Sequence, residues 1–336
     1  MQPRDSRIVT PSEAILRAHI RPRNAPRARA HAALQGHIRW GLIDRKGREV
    51  RGGEQSNLIL NQGLDLMATY QPGADYWLYL DWQKYAAVGT GSTAPDVTDT
   101  GLVAEVARSD TTPDGSISSP TAGQQNTVVT KEFDFAVANG NLTEWGFAPT
   151  STGNLAVREL FRDELGDPIT ITKTSDYKLR ITYTLETTIS PVGASWEAAS
   201  FTITNIGLIN GTHGFFTRAY ELGRFWKYAN GINGRAEAST FAYDGAYNGD
   251  SNVATSGTVG ITADAYIAGS YERTYGNAEW GTTDGNHAWA SFYTGDTGTG
   301  NGWAHGFLID LADRFTKDDL HTLTIENIIT VSWGRA

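Results

Sequence analysis

From Tyr177 to Ile189 the chain alternates, with Leu179, Ile181, Tyr183 and Leu185 apolar and Lys178, Arg180, Thr182 and Thr184 between them polar. Successive side chains of a strand point to opposite faces, so this period specifies a strand with one buried face. Thr127–Ala138 reads as a strand with Phe133, Phe135 and Val137 on a single face, and Asn139-Gly140 supplies a tight hairpin turn from which Leu142–Phe147 returns. His37–Ile43, the turn Asp44–Gly47 and the return Arg48–Gly52 read as another hairpin, and Leu155–Phe161 as a further strand. Leu60, Leu64, Met67 and Ala68 recur at helical spacing, which predicts a short helix over 61–70. Thr111–Asn126 reads as a polar loop.

Composition supports the same class. Thirty-seven Gly, 11% aromatic and 19% charged residues in 336 describe turn-rich β structure, with enough length for two or three modules. We expect a mostly-β fold of antiparallel, sandwich-like modules with a few short helices. There is no Cys, so disulfides and thiolate metal sites are excluded. The net charge of −9 argues against a general nucleic-acid binder. No apolar run approaches the roughly 20 residues of a membrane-spanning helix, and no signal-peptide h-region forms.

The end of the chain repeats part of its middle. Thr172-Lys173 matches Thr316-Lys317, Leu179 matches Leu323, Ile181 matches Ile325 and Leu185 matches Ile329, all 144 positions apart. Leu142–Phe147 resembles Ile203–Leu208. The pattern reads as an internal duplication whose second copy is interrupted. Four segments follow: a basic N-terminal arm at 1–35, a first β module at 36–190, a second at 191–224 plus 307–336, and an insert at 225–306.

The arm carries Arg4, Arg7, Arg17, Arg21, Arg23, Arg27 and Arg29 against Asp5 and Glu13. Thr10-Pro11-Ser12-Glu13 is a capping-box pattern for a short helix through about Ile20. Little here can be buried, so ordering this segment requires a partner. The insert is rich in Gly, Tyr and Trp. Tyr and Trp combine apolar area with a polar handle, and Trp226, Trp280, Trp289 and Trp303 are the candidates for a contact surface, with a neighbouring subunit or a host-surface glycan. An insert that interrupts a repeat should have its ends close together and project from the body.

No constellation points to catalysis. Glu272, Glu279, Asp284 and Asp296 could serve glycan cleavage, but no spacing singles out a pair. Asp296–Gly302 lacks the acidic ligands of a calcium loop, the seven His form no zinc pattern, and no GxSxG elbow occurs. Gly89-Thr90-Gly91 lacks both the Lys-Ser/Thr end of a phosphate loop and the third Gly of a dinucleotide loop. We expect no catalytic residue, metal or cofactor.

Val88-Gly89-Thr90-Gly91-Ser92-Thr93-Ala94-Pro95, then Asp99–Glu105, Leu142–Phe147 and Leu179–Thr184, preceded by Asn57–Leu64, form an ordered set of short pieces. That set resembles a domain of tailed-bacteriophage virion proteins described as tail fibre, tail or minor structural proteins. It covers roughly residues 36–190, with Gly101 where a small non-Gly residue is usual. The resemblance implies a non-enzymatic virion protein assembled in the host cytoplasm. It would be tail-associated (fibre, baseplate or neck) and act with other virion proteins in a symmetric homo-oligomer. A head decoration or capsid-associated protein is the alternative, followed by a carbohydrate-binding receptor-recognition module and a glycan depolymerase. The resemblance transfers no catalytic residue.

Overall fold

A computed structural model describes residues 28–68, 83–118, 120–121, 123–190, 197–203, 207–216, 234–239, 255–286, 288–295, 306–326 and 329–336. The described part is mostly β, with one helix.

The first sheet is built around β1 (Arg29–Asp44) and β11 (Tyr177–Ser190), antiparallel from His31↔Ser190 to Asp44↔Tyr177. Even-numbered positions of β1 and odd-numbered positions of β11 face inward, so Leu34, Ile38, Trp40 and Leu42 meet Leu179, Ile181, Tyr183 and Leu185. This is the alternation legible in the sequence. At Asp44 the side chain accepts from the Lys46 and Arg48 amides (2.8 and 2.9 Å), and Gly47 adopts φ 79°. That turn returns the chain as β2 (Glu49–Ile59), and α1 (Asn61–Met67) follows, burying Leu64 and Met67. The other strands are β3 (Tyr85–Gly89), β4 (Glu105–Ser109), β5 (Asp114–Ser118), β6 (Gln124–Phe133), β8 (Glu144–Ala148) and β9 (Val157–Leu160). A small separate ladder joins β7 (Gly140–Leu142) to β10 (Ile171–Lys173).

The strand order is β4-β3-β8-β9-β2-β1-β11-β6-β5. The sheet curls until its ends meet, because β4 and β5 belong to one bent segment. Residues 105–109 pair with β3, and residues 114–118 pair with β6. At the bend the Glu132 amide donates to the Thr111 carbonyl (3.1 Å) and Ser109 Oγ donates to the Glu132 carbonyl. The polar stretch expected to be a loop thus closes the sheet: Asp114–Ser118 is a strand, and β6 starts at Gln124. That strand ends at Phe133, so Val137 lies in the following turn, exposed, instead of extending its apolar face.

Beyond residue 190 lie β12 (Glu197–Ile203), β13 (Gly207–Phe216), β14 (Gly234–Ser239), β15 (Thr255–Ile261), β16 (Glu272–Tyr275), β17 (Ala278–Trp280), β18 (Ala288–Gly295), β19 (Gly306–Thr316), β20 (Leu323–Glu326) and β21 (Ile329–Arg335). Eight of them form the second sheet, ordered β15-β14-β18-β19-β13-β12-β20-β17, whose end strands lie against one another. The remaining two, β16 and β21, join the first sheet. There β21 runs parallel to β1, from Arg29↔Thr330 to Leu34↔Arg335.

Three expected boundaries are corrected. Residues 29–35 belong to the folded body instead of the arm, because β1 starts at Arg29 and pairs there with β21. The stretch 307–336 is shared, with β19 and β20 in the second sheet and β21 in the first. The described residues of the insert do not form a separate projecting unit: β16 pairs with β21, β17 with β20 and β18 with β19, and Ile261, Tyr275, Ala278 and Trp280 are buried in the main core.

The matched repeat positions are alike in several respects. Leu179, Ile181, Leu323 and Ile325 are all buried. Strand β11 pairs with β6 and β20 with β12, but the hairpin expected in both copies forms only in the second: β12 pairs with β13, whereas β8 turns away from β6 to pair with β3 and β9. Lys173 and Lys317 are both buried. The first donates to Asn139 Oδ1 (2.9 Å) and the Asp134 carbonyl (2.9 Å), the second to Asn286 Oδ1 and the Asp318 carbonyl (3.1 Å).

Candidate functional site

Of the segments that carry the phage resemblance, Asn57–Leu64, Val88–Pro95 and Asp99–Glu105 meet on the outward side of β8, which holds most of Leu142–Phe147, and Leu179–Thr184 meets its inward side. Strand β8 is buried on both sides. Trp145 and Phe147 point into the curl, where Phe147 packs on Tyr183 at 4.9 Å between ring centroids. Glu144, Gly146 and Ala148 point outward, yet the loop Thr90–Ala104 covers them. Leu60, Ala87, Ala148 and Leu155 form a small second core there, with Leu102 of the loop packed against it.

Glu144 fastens that loop. Its Oε1 accepts from the Gly91 amide (2.9 Å) and the Ala104 amide (2.8 Å), and its Oε2 from the Val103 amide (3.1 Å). Arg158, across the β8–β9 pair, donates to the same Oε2 from Nε (3.2 Å) and Nη2 (3.1 Å). It also reaches the Thr93 carbonyl (2.8 Å) and Asp99. Both side chains are about 1% exposed or less. A buried carboxylate is costly unless paired and hydrogen-bonded, and this one has donors on both oxygens. It has neither solvent access nor a free oxygen for proton transfer, so the arrangement is a clasp that gives a surface loop one conformation. Gly91 is required there, because a Cβ would enter the van der Waals shells of Glu144 Oε1 and Val103 Cβ. Thr143 Oγ1 donates to the Gly91 carbonyl (2.7 Å), adding a second fastening.

A second docking contact ties the chain's end to α1. Trp333 Nε1 donates to the Leu64 carbonyl (2.8 Å), and Arg335 to the Ile59 carbonyl (2.6 Å) and Asn61 Oδ1 (2.7 Å). Asp65 accepts from the Tyr266 hydroxyl and the Gly269 amide (2.8 Å). Burial and the neighbouring Asp65 carboxylate both push the Tyr266 hydroxyl above its ordinary value, so it stays a donor.

Of the expected contact tryptophans, Trp280 and Trp289 are corrected: neither is exposed. Their rings meet edge-to-face at 4.7 Å, and Trp289 stacks on Phe315 at 5.6 Å and donates to the Gly285 carbonyl (3.0 Å). Strand pairing of β17 and β18 turns these rings inward, so they form core. Trp226 and Trp303 lie outside the described residues, as do Arg4, Arg7, Arg17, Arg21, Arg23 and Arg27. Arg29 opens β1 and is exposed. Glu272, Glu279 and Asp284 do not gather; among the described residues no group of three His, Asp or Glu could hold a metal. No helix among them is long and apolar enough to cross a membrane.

A groove of about 450 Å³ runs beside β2, between Glu54–Leu58 and the turn Glu159–Gly166. Strand β2 pairs with β9 only at Leu58↔Arg158 and Ile59↔Val157, and the two then diverge. Gln55 spans the gap, donating to the Leu160 carbonyl (2.7 Å) and accepting from the Arg162 amide (2.8 Å).

Sequence reasoning did not single out Glu144 and Arg158 as partners. The available signal was Glu144 directly before the apolar Trp145–Phe147 and Arg158 within Leu155–Leu160, where a strand has little use for an unpaired ion. No family model, curated protein or solved structure matches the chain.

Proposed function

We propose that the chain is a structural component of a tailed-phage virion, tail-associated, which works through protein–protein contacts in a symmetric assembly and not by catalysis. One observation carries this reading. The separate pieces of the resemblance belong to one packed unit: Glu144 of the Leu142–Phe147 piece holds Gly91 of the second piece and Val103 and Ala104 of the third. Tyr183 of the last piece packs on Phe147. Packing around one buried carboxylate, which Arg158 outside the pieces neutralises, supports reading them as parts of one domain. The clasp also suits a contact role, since a loop held in one conformation loses little entropy when a partner docks.

The test is mass spectrometry of gradient-purified particles of the phage that encodes the chain. Peptides from it are expected in intact particles at a stoichiometry matching a symmetric ring or fibre. Its absence from particles, with presence in the infected-cell lysate, would overturn the reading.

A further inference from the structure

We infer that the groove beside β2 is the docking site for the basic N-terminal segment of a second copy of this chain, an inference that rests on the reading of the protein as a self-associating virion component.

The groove combines two features. Over Glu49–Asn57, β2 pairs only with β1 among the described residues; its other edge borders the groove over Glu54–Asn57, crossed there only by the Gln55 side chain on its way to Leu160 and Arg162. Such an edge presents backbone groups that an extended chain can meet. The walls are acidic, with Glu54, Glu159, Asp163 and Glu164 against Arg162 alone. Arg162 is already committed, to Glu159 at 3.1 Å and to the Gly166 carbonyl at 2.8 Å. Asp163 Oδ1 is taken by the Leu165 and Asp167 amides, whereas Glu54 is three-quarters exposed and among the described residues has only Arg39 as an ion-pair partner, at 3.6 Å.

The chain supplies a matching occupant. Residues 1–27 hold six arginines against Asp5 and Glu13, a net +4; with −9 for the whole chain, residues 28–336 carry −13. Arginine forks onto carboxylates and backbone carbonyls, which are the groups an acidic groove along a strand edge offers. Direction favours a neighbour. Gln55, at the centre of the groove, lies opposite Ile38 of β1. Arg29 lies about 30 Å back along that strand, at roughly 3.3 Å per residue. Ala28 therefore stands at the end of β1 remote from its own groove.

The experiment uses full-length protein and sedimentation velocity at low and high salt. Wild type is expected to self-associate, weakening as salt screens the contact. Two charge reversals follow: Glu54→Lys with Asp163→Lys and Glu164→Lys in the groove, and Arg17→Glu with Arg21→Glu and Arg23→Glu in the N-terminal segment. Each alone should lower association at least tenfold while circular dichroism stays that of wild type. Mixed, the two variants should associate again, since each supplies the charge the other needs. A variant that fails to fold could not rescue its partner, so a third, milder variant, Glu54→Gln with Glu164→Gln, must still weaken association severalfold. Wild type that stays monomeric, reversals without effect, or no recovery on mixing would each overturn the proposal. Because the readout is the purified chain alone, it stands or falls separately from the presence of the chain in virions.

Discussion

The loop Thr90–Ala104 and the turn between Trp280 and Trp289 are both irregular segments held hard against a sheet, and opposite forces hold them. In the first, a buried carboxylate gathers three backbone amides and a guanidinium. In the second, two indoles meet edge-to-face over Gly285, with Phe315 stacked behind. Charge is directional and saturable, so the clasp fixes which atoms meet. Ring packing stabilises mainly through area removed from water and tolerates small shifts. A loop that must present one surface is better served by the first, and a turn that only has to be covered by the second.

The sharpest way to break that contrast is to remove one member of each. Arg158→Ala leaves Glu144 buried with its counter-ion gone, and is expected to cost about 3–5 kcal/mol. Trp289→Ala opens a cavity, at a similar cost of about 3–5 kcal/mol. Chemical denaturation gives the totals, and amide hydrogen exchange separates the mechanisms. Arg158→Ala should expose the amides of Gly91, Val103 and Ala104, whereas Trp289→Ala should leave those three protected. Equal loss of protection in both variants would mean that the two fastenings are not independent.

Glycines give a finer version of the same comparison, with smaller effects. Gly91→Ala pushes a Cβ into Glu144 and Val103, and Gly285→Ala meets Trp280 and Trp289 at 3.0 and 3.1 Å with φ at +65°. Each should cost about 1–3 kcal/mol by thermal unfolding. Gly101→Ala, at the position where the phage resemblance expects a small non-Gly residue, meets nothing within 4 Å and should lie within about 0.5 kcal/mol of wild type. A destabilised Gly101→Ala would show that the loop needs freedom the clasp does not explain.

Much of the fold was legible because it follows from period. The alternation of β11, the Asp44–Gly47 turn and the helix at Leu64 and Met67 all stand where their patterns put them. The early start of β1 was not, since its inward residues there are Ala28, Ala30 and Ala32, too small to make an apolar stripe visible against the arginines. The closing strand β5 was hidden for a similar reason: Asp114–Ser118 has one apolar side chain, the half-buried Ile117, and is placed by pairing, not burial. The tryptophans misled because Trp serves cores and contact surfaces equally well, and only the partner strand decides which. The clasp stayed unseen because its partners, 14 residues apart, meet only once β8 and β9 pair.

Buried charge in the first sheet extends beyond the clasp, and its pH dependence marks that sheet off from the aromatic turn. Lys131 sits near the bend that closes the sheet, about 3% exposed, donating to Thr112 Oγ1 and, at 3.4 Å, to the Asp110 carbonyl. Burial, with Lys84 nearby and only partly offset by Asp110, lowers its amine from the ordinary 10.5 to about 8. Between those values the native state has released a proton that the unfolded chain still holds, so stability from this residue must rise with pH through that window. Buried tyrosines act against it at higher pH. Tyr183 and Tyr275 are raised by burial, so the unfolded chain ionises first above about 10 and stability then falls. The informative range is therefore pH 7.5 to about 9.5. Wild type should gain stability relative to Lys131→Met across that range, in denaturant titrations at constant ionic strength. A flat difference would mean that Lys131 keeps its proton when buried, and that the closing bend, like the clasp, holds a full charge.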